Sequence, residues 1–467
     1  MLVKPFVDEH LGNSSYLVAS EVTGRAAVID PQRDVDRYLQ AAEGLGLRLV
    51  YALDTHLHAD FVSGGRELAA RPGLSFGASA EAGLGFVHLP LAEGNTIQLD
   101  DLAIGVLATP GHSPEHITFT LTPEGASAPA AVFSGGALIV GGAARTDLLG
   151  HERTRPLARQ LYHTFREKFL PLPDQTVVYP THGAGSYCTV AQDAERTTTI
   201  GREREQNPLV RARSEDEFVR LALSDLGTYP TYYHYMRGVN QRGPRLLGGL
   251  PVLAPLSDEE VGRALDAGVW VVDTRTPEAF AAGHIPGSTG IPLDAPLVVW
   301  AGWVIPFGSP IVLVAQGRAE REAAVRQLVR IGYDNVQGYL EGGLAAWERA
   351  GLPLAGVQVL SARELHRRLA DGDDLAVLDV RQESEWLEGH IPGATHVEAG
   401  SLPHTALPFG AGHPIVVQCA AGDRSTVAIS LLEQRGYRNL FLLEGGLNRW
   451  EAQDLPLEPG PGSQEQD

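Results

Sequence analysis

Thr55-His56-Leu57-His58-Ala59-Asp60-Phe61-Val62-Ser63-Gly64-Gly65 directly follows an apolar run over residues 47–53. It reads as a buried strand that ends in a metal-binding loop. Alternate side chains of an extended segment point the same way, so His56 and His58 share one side, and the loop can bring Asp60 towards the same centre. Two imidazoles so placed suit a borderline cation such as Zn²⁺ or Fe²⁺. Taken alone, the pair reads equally well as two hydrogen-bonded core histidines.

The flanking sequence narrows the choice. Upstream, residues 13–18 and 26–31 are short apolar runs separated by turn residues, the mark of a hairpin, and residues 36–45 have helical spacing. Downstream, Thr109-Pro110-Gly111-His112-Ser113-Pro114-Glu115-His116 follows the apolar run 102–108 and puts His112 on a rigid turn. Pro180-Thr181-His182-Gly183-Ala184-Gly185-Ser186 follows a strand over 176–179 and carries His182. Three separate strand-to-loop junctions thus end in histidine, a placement that independent core histidines rarely repeat. The alternation of strands and helices as far as Cys188 indicates an α/β class, with helices covering sheet faces.

These pieces, together with Arg145-Thr146-Asp147-Leu148, resemble the metallo-β-lactamase fold and, within it, the persulfide dioxygenase and glyoxalase-II-like branch. The resemblance spans about residues 1–250 and implies an αββα sandwich with a metal at one edge. Two departures bear on the chemistry. The family usually has a histidine where Phe61 stands, and an aspartate where Gly136 stands in Phe133-Ser134-Gly135-Gly136-Ala137-Leu138. Phenylalanine cannot ligate, so a two-metal hydrolase site is disfavoured. The missing aspartate completes the iron site of the dioxygenases. What survives is His56, His58 and His112, a three-histidine site for one Fe(II) or Zn(II) per chain with open positions. Asp60 and His182 then serve as supporting groups or weak ligands. Tyr229, Tyr232, Tyr233, Tyr235 and Arg237 lie in a segment similar to the one that persulfide dioxygenases lay over the metal mouth. There Tyr233, Tyr235 and Arg237 are the expected substrate contacts, because a guanidinium grips a carboxylate in a fork.

The second half repeats itself. Val271-Val272-Asp273-Thr274-Arg275 and Gly283-His284-Ile285-Pro286-Gly287 return as Val377-Leu378-Asp379-Val380-Arg381 and Gly389-His390-Ile391-Pro392-Gly393. Glu341-Gly342-Gly343-Leu344 with Trp347 returns as Glu444-Gly445-Gly446-Leu447 with Trp450, so the repeating unit is a whole small domain. Each copy alternates apolar strands with helical runs, the pattern of a parallel sheet. The landmarks resemble the rhodanese (sulfurtransferase) family. Asp379 and Arg381 are read as pinning the loop that carries them.

The copies differ in chemistry. The second has Ile415-Val416-Val417-Gln418-Cys419-Ala420-Ala421-Gly422-Asp423-Arg424-Ser425-Thr426, a strand ending at a cysteine and a short loop feeding a helix over 427–434. Backbone N–H groups at a helix start favour a thiolate. Such a thiolate can take up a sulfane sulfur and pass it on. Arg424 would orient an anionic donor or acceptor, with Gly422 and Ser425 lining its place. The first copy reads Val314-Ala315-Gln316-Gly317-Arg318 and has no cysteine, so it is a spacer or docking domain. The remaining cysteine, Cys188, reads as structural.

Composition sets the outer limits. At 467 residues the chain exceeds one core, and about 150 residues per domain suggests roughly three. The expected divisions are 1–252 for the metallo-β-lactamase-like domain with its lid segment, 256–356 and 357–458 for the two rhodanese-like domains, and a flexible tail at 459–467. A formal charge of −20 argues against nucleic acid or an anionic membrane as partner. No apolar run approaches the ~18 residues of a membrane span, and no signal-like segment opens the chain, so a cytoplasmic location is expected. Two cysteines exclude a disulfide framework. The expectation is a sulfur-metabolism enzyme acting on a small thiol or persulfide of glutathione or coenzyme A type, in a homo-oligomer. Sulfur transfer alone, persulfide sensing and thioester hydrolysis are the alternatives.

Overall fold

The computed structural model describes residues 1–189, 195–224 and 226–460. They divide into two compact units, Met1–Pro251 with Val329–Gly332, and Val252–Leu328 with the described residues from Tyr333 onward.

The first unit is built on two six-stranded sheets. One runs Leu2–Asp8, Asn13–Ala19, Arg25–Ile29, Arg48–Leu53, Ser75–Ser79 and Leu89–Leu91 in spatial order; the other runs Thr96–Leu99, Leu102–Ala108, Ile117–Pro123, Ala131–Gly135, Val177–Pro180 and Thr198–Thr199. The expected hairpin is present, with Asn13–Ala19 antiparallel to Arg25–Ile29. The next strand is parallel because the helix Asp36–Gly44 supplies the crossover. Period two then explains the layering. Tyr16 and Val18 join Ile29, Leu53, Ile104, Phe119 and Phe133 in the core between the sheets. Leu17 and Val28 face the other way, against Tyr38, Leu68 and Phe76. On the far side Val132 and Val178 pack on Leu161, Phe165, Ile200 and Phe218, from helices His151–Thr164, Ile200–Gln206 and Glu215–Ala222 and the turn after the first of them. Both faces of both sheets are covered, which makes this the αββα sandwich. Each fully buried large apolar side chain contributes about 1.5–3 kcal/mol to holding the layers together.

The second unit holds two five-stranded sheets of the same topology. The order Pro255–Leu256, Val336–Leu340, Ile311–Val314, Trp270–Asp273, Thr289–Gly290 is repeated by Gln358–Leu360, Leu440–Leu443, Ile415–Gln418, Ala376–Asp379, Thr395–His396. Every pairing in both is parallel. Repeated sequence makes repeated contacts. Arg275 binds Asp273 and donates to the Gly283 carbonyl at 2.7 Å, and Arg381 binds Asp379 and donates to the Gly389 carbonyl at the same distance. Trp347 and Trp450 donate at 2.9 Å to the carbonyls of Pro353 and Pro456. The tail expected at 459–467 lies, from 461 onward, outside the described residues. No helix among the described residues is long and apolar enough to cross a membrane.

Candidate functional site

The strands Arg48–Leu53, Leu102–Ala108 and Val177–Pro180 each end two to four residues before a loop histidine. Asp30 ties two of these loops together. It sits in the left-handed region (φ 49°) and accepts from the Thr55 N–H at 2.7 Å, the Thr55 hydroxyl at 2.8 Å and the Thr181 hydroxyl. The result is a buried cluster in which the ligand atoms of His56, His112 and His182 lie within 4.8 Å of one another.

Hydrogen-bond partners settle the tautomers of these rings. The His112 Nδ1–H donates to the Arg145 carbonyl at 2.6 Å. The His182 Nδ1–H donates to Asn13 Oδ1 at 3.1 Å, with Asp60 Oδ2 3.3 Å away. The Thr55 hydroxyl has spent its proton on Asp30, so it accepts from the His56 Nδ1–H at 2.8 Å. Each ring therefore keeps a bare Nε2 lone pair, and those of His56 and His182 are only 3.3 Å apart. Two lone pairs at that distance repel unless a positive centre lies between them. A proton is a poor candidate. Burial and the neighbouring imidazoles hold His56 well below the ordinary histidine range, and burial with His182 brings His112 down to about 4. Three neutral imidazoles with oriented Nδ1–H groups are the donor set of a single borderline metal ion.

This grouping differs from the expected one in two places. His182, expected as a supporting group, stands with His56 and His112. His58, expected as a ligand, is directed into acidic company. Its Nε2 lies 3.3 Å from Asp30 Oδ1 without completing a hydrogen bond, and it shares one group with Asp30 and Asp54 and another with Asp60 and His182. Burial disfavours its charge, but Asp30, Asp54 and Asp60 outweigh burial and raise its pKa. The strand's alternation does bring the two rings together, with centroids 4.2 Å apart, but the His58 nitrogens group with the carboxylates and lie outside the group formed by His56, His112 and His182.

Phe61 and Gly136 explain what replaced the missing ligands. Phe61 is wholly buried and stacks on His58 with centroids 4.1 Å apart and planes at 25°. A Cβ at Gly136 would meet His112 Cδ2 at 2.6 Å, so the imidazole occupies the space a side chain there would need. His116, which sequence reasoning left unassigned, stacks on His56, accepts the Gly136 N–H at 3.0 Å and bonds Thr109 at 2.8 Å. With both nitrogens engaged, it frames the pocket and is not a ligand.

The segment over the pocket is held differently from expectation. Arg237 grips Glu115 in a fork at 2.8 and 2.9 Å, so the guanidinium expected for a substrate carboxylate is already paired. Glu115 also accepts from the Leu57 N–H and the Ser113 hydroxyl, fastening the first two loops. Tyr233 is buried with its hydroxyl 3.9 Å from Cys188 Sγ, Tyr235 is exposed, and the Tyr232 hydroxyl donates to the Asp60 carbonyl at 2.7 Å. Asn240, not anticipated, donates to the carbonyls of His58 and Phe61 at 2.9 Å and accepts the Ser63 N–H. Cys188 is fully buried, and burial with nearby Asp60 pushes its thiol far up, as befits an inert cysteine.

In the second unit, Ile415–Gln418 delivers Cys419 to the head of the helix Asp423–Gln434, which starts four residues earlier than expected because Gly422 caps it at φ 117°. The Gly422 N–H donates to Cys419 Sγ at 3.1 Å. Glu444-Gly445-Gly446 acquires a physical role here. The Leu447 and Asn448 N–H groups hold the carbonyls of Cys419 and Ala420 at 2.7 and 3.0 Å, and a Cβ on Gly446 would lie 2.2 Å from the Cys419 oxygen. Arg424 is paired with Glu385, at 2.8 Å in one of two contacts, so like Arg237 it is not a free anion receptor. Ser425 is wholly buried and its hydroxyl completes no hydrogen bond among the described residues. Cys419 is only 1% exposed, beneath half-buried Ala420 and exposed Ala421. The loop that aims the Gly422 N–H at the sulfur also roofs it.

A rhodanese-like domain model matches residues 257–350 and 361–453. The chain is 32% identical over 185 residues to the persulfide dioxygenase ETHE1, mitochondrial, of Homo sapiens, covering 39% of this chain and 68% of that one. It is 30% identical over 210 residues to the hydroxyacylglutathione hydrolase GloC of Haemophilus influenzae, covering 40% of this chain and 89% of that one. Among solved structures, a metallo-beta-lactamase from Staphylococcus aureus subsp. aureus COL is similar at 32% identity with a TM-score of 0.66, over 73% of this chain and 98% of that one. With two copies of one parallel fold behind an αββα sandwich, the chain belongs to the metallo-β-lactamase-fold persulfide dioxygenase family and carries two rhodanese-like domains.

Proposed function

We propose that this chain is a sulfur-metabolism enzyme in which Cys419 carries sulfane sulfur, and the upstream pocket binds one metal ion through His56, His112 and His182. The observation that carries the first part is the Gly422 N–H on Cys419 Sγ at a helix start. In the transfer step the Cys419 thiolate attacks the outer sulfur of a small persulfide. A new S–S bond forms at Cys419, the donor's S–S bond breaks, and the donor leaves as a thiolate that takes up a proton. A second thiol then removes the outer sulfur by the same exchange. Since the thiol is roofed, Ala420 to Gly422 must part for each encounter, and bulky donors react slowly.

For the pocket, iron when bound supplies dioxygen chemistry that takes a persulfide to sulfite, whereas zinc supplies a Lewis acid. The chain's own part is to orient three bare Nε2 atoms through Arg145, Asn13 and Thr55, and to exclude water with Leu57 and Phe61. The carrier is a small thiol of glutathione or coenzyme A type. A second reading, sulfur transfer without oxidation, is favoured by Gly136, where the bridging carboxylate of the family has no room beside His112.

The test is one preparation made without oxygen, loaded with Fe(II), and given glutathione persulfide. Oxygen uptake together with cyanolysis of thiosulfate supports the first reading, and cyanolysis alone supports the second. Cyanolysis that survives Cys419→Ser contradicts both.

A further inference from the structure

The first rhodanese copy lacks the nucleophile, yet it stands beside the nucleophile's loop. A Cβ on Gly422 would touch Pro277 Cβ and Cγ at 3.6 and 3.7 Å, so the start of the helix Pro277–Ala282 in the first copy abuts the loop of the second. What that neighbour brings is negative charge. Glu278 follows Pro277, and both Glu278 and Asp294 are exposed and act on Asp423, the first residue of the helix behind Cys419. Burial first, and then these two carboxylates, raise the Asp423 pKa against the pull of Arg424.

The positive features that would receive an anion are each offset. Arg424 is forked onto Glu385. The helix dipole, worth about half a positive charge at its N-terminus, faces a carboxylate in its own first turn. Three carboxylates thus stand near the start of this helix, Asp423 itself with Glu278 and Asp294 from the cysteine-free copy.

We infer that the first copy is a charge filter for the Cys419 loop, and that Glu278 and Asp294, with Asp423, select small persulfides that carry an ammonium group over polyanionic donors such as thiosulfate or a coenzyme A persulfide. This rests on Cys419 being the sulfur carrier and narrows the carrier thiol. The chemical step is the exchange already described. Only the approach of the donor is affected, because a like charge repels and an opposite charge attracts more strongly the closer it comes.

The test uses two persulfides of equal length, those of cysteamine (ammonium) and β-mercaptopropionate (carboxylate), with the full chain. The cysteamine persulfide should have the higher kcat/KM by about tenfold at low salt. Glu278→Gln with Asp294→Asn, both at exposed positions, should reduce that preference to within about twofold, as should raising the salt to about 1 M. Equal rates for the two donors, or a preference untouched by the double substitution, would overturn the filter while leaving sulfur transfer in place. Transfer retained in Cys419→Ser would instead remove the parent reading, and the filter with it.

Discussion

The two cysteines are told apart by their partners and not by their identity or burial. Cys188 and Cys419 are both buried free thiols. Only Cys419 has a helix-start N–H on its sulfur, whereas Cys188 faces Tyr233 and the field of Asp60. Cys419→Ser should therefore abolish sulfur transfer, and Cys188→Ala should leave it within about twofold, as read by cyanolysis. The pocket histidines give a pH signature in metal-free protein. His56, His112 and His116 have depressed pKa values, so the unfolded chain binds more protons than the folded one as pH falls from about 6.5 to about 4. His112 then removes about 1.4 kcal/mol per pH unit over that window, and His56 and His116 act in the same direction. Asp54, raised to about 7 by burial, has the opposite sign, since its folded state holds the extra proton, and Glu203 and Asp423, also raised by burial, act with it, but the three histidines lie deeper and outweigh them. Denaturant melts between pH 4 and 6.5 should show stability rising with pH, and a flat or falling profile would mean that the imidazoles are not buried together.

At the scale of elements, the three strand-to-loop junctions were legible because period two and turn chemistry are local. The hairpin at Asn13–Ala19, the helix Asp36–Gly44 and the parallel order of each repeat lie close to where the patterns placed them. The ligand grouping was not legible, because it depends on where loops from distant strands point. Spacing put His56 and His58 on one side, and their ring centroids do lie 4.2 Å apart, but His58 Nε2 stands 3.3 Å from Asp30 Oδ1, a neighbour reached only through the fold. The pairing of Arg237 with Glu115 and of Arg424 with Glu385 likewise joins residues far apart in the chain. Asn240 had no signal beyond lying in an aromatic-rich helix. The Gly136 junction yields a prediction: Gly136→Asp will not rebuild the family's site. Its Cβ alone would drive into His112, so overpacking should cost about 1–3 kcal/mol in a thermal melt and lower metal content. A gain of bound metal would contradict this.

At the scale of the molecule, the two rhodanese-like copies lie within one compact unit. His284 Nε2 is 2.8 Å from Glu433 Oε2, and the Ser430 hydroxyl accepts the Gly290 N–H at 2.8 Å. Both contacts fall on the helix whose first turn carries the Cys419 loop. Glu433→Ala should therefore destabilise this unit by about 1–3 kcal/mol and slow sulfur transfer, without changing metal bound by the first unit. The central claim is that sulfur is carried at position 419. Intact-protein and peptide mass spectrometry after brief anaerobic exposure to cysteamine persulfide should find one added sulfur atom on the Cys419 peptide, absent in Cys419→Ser and removed by cyanide. Sulfur found on Cys188, or on neither cysteine, would contradict the account.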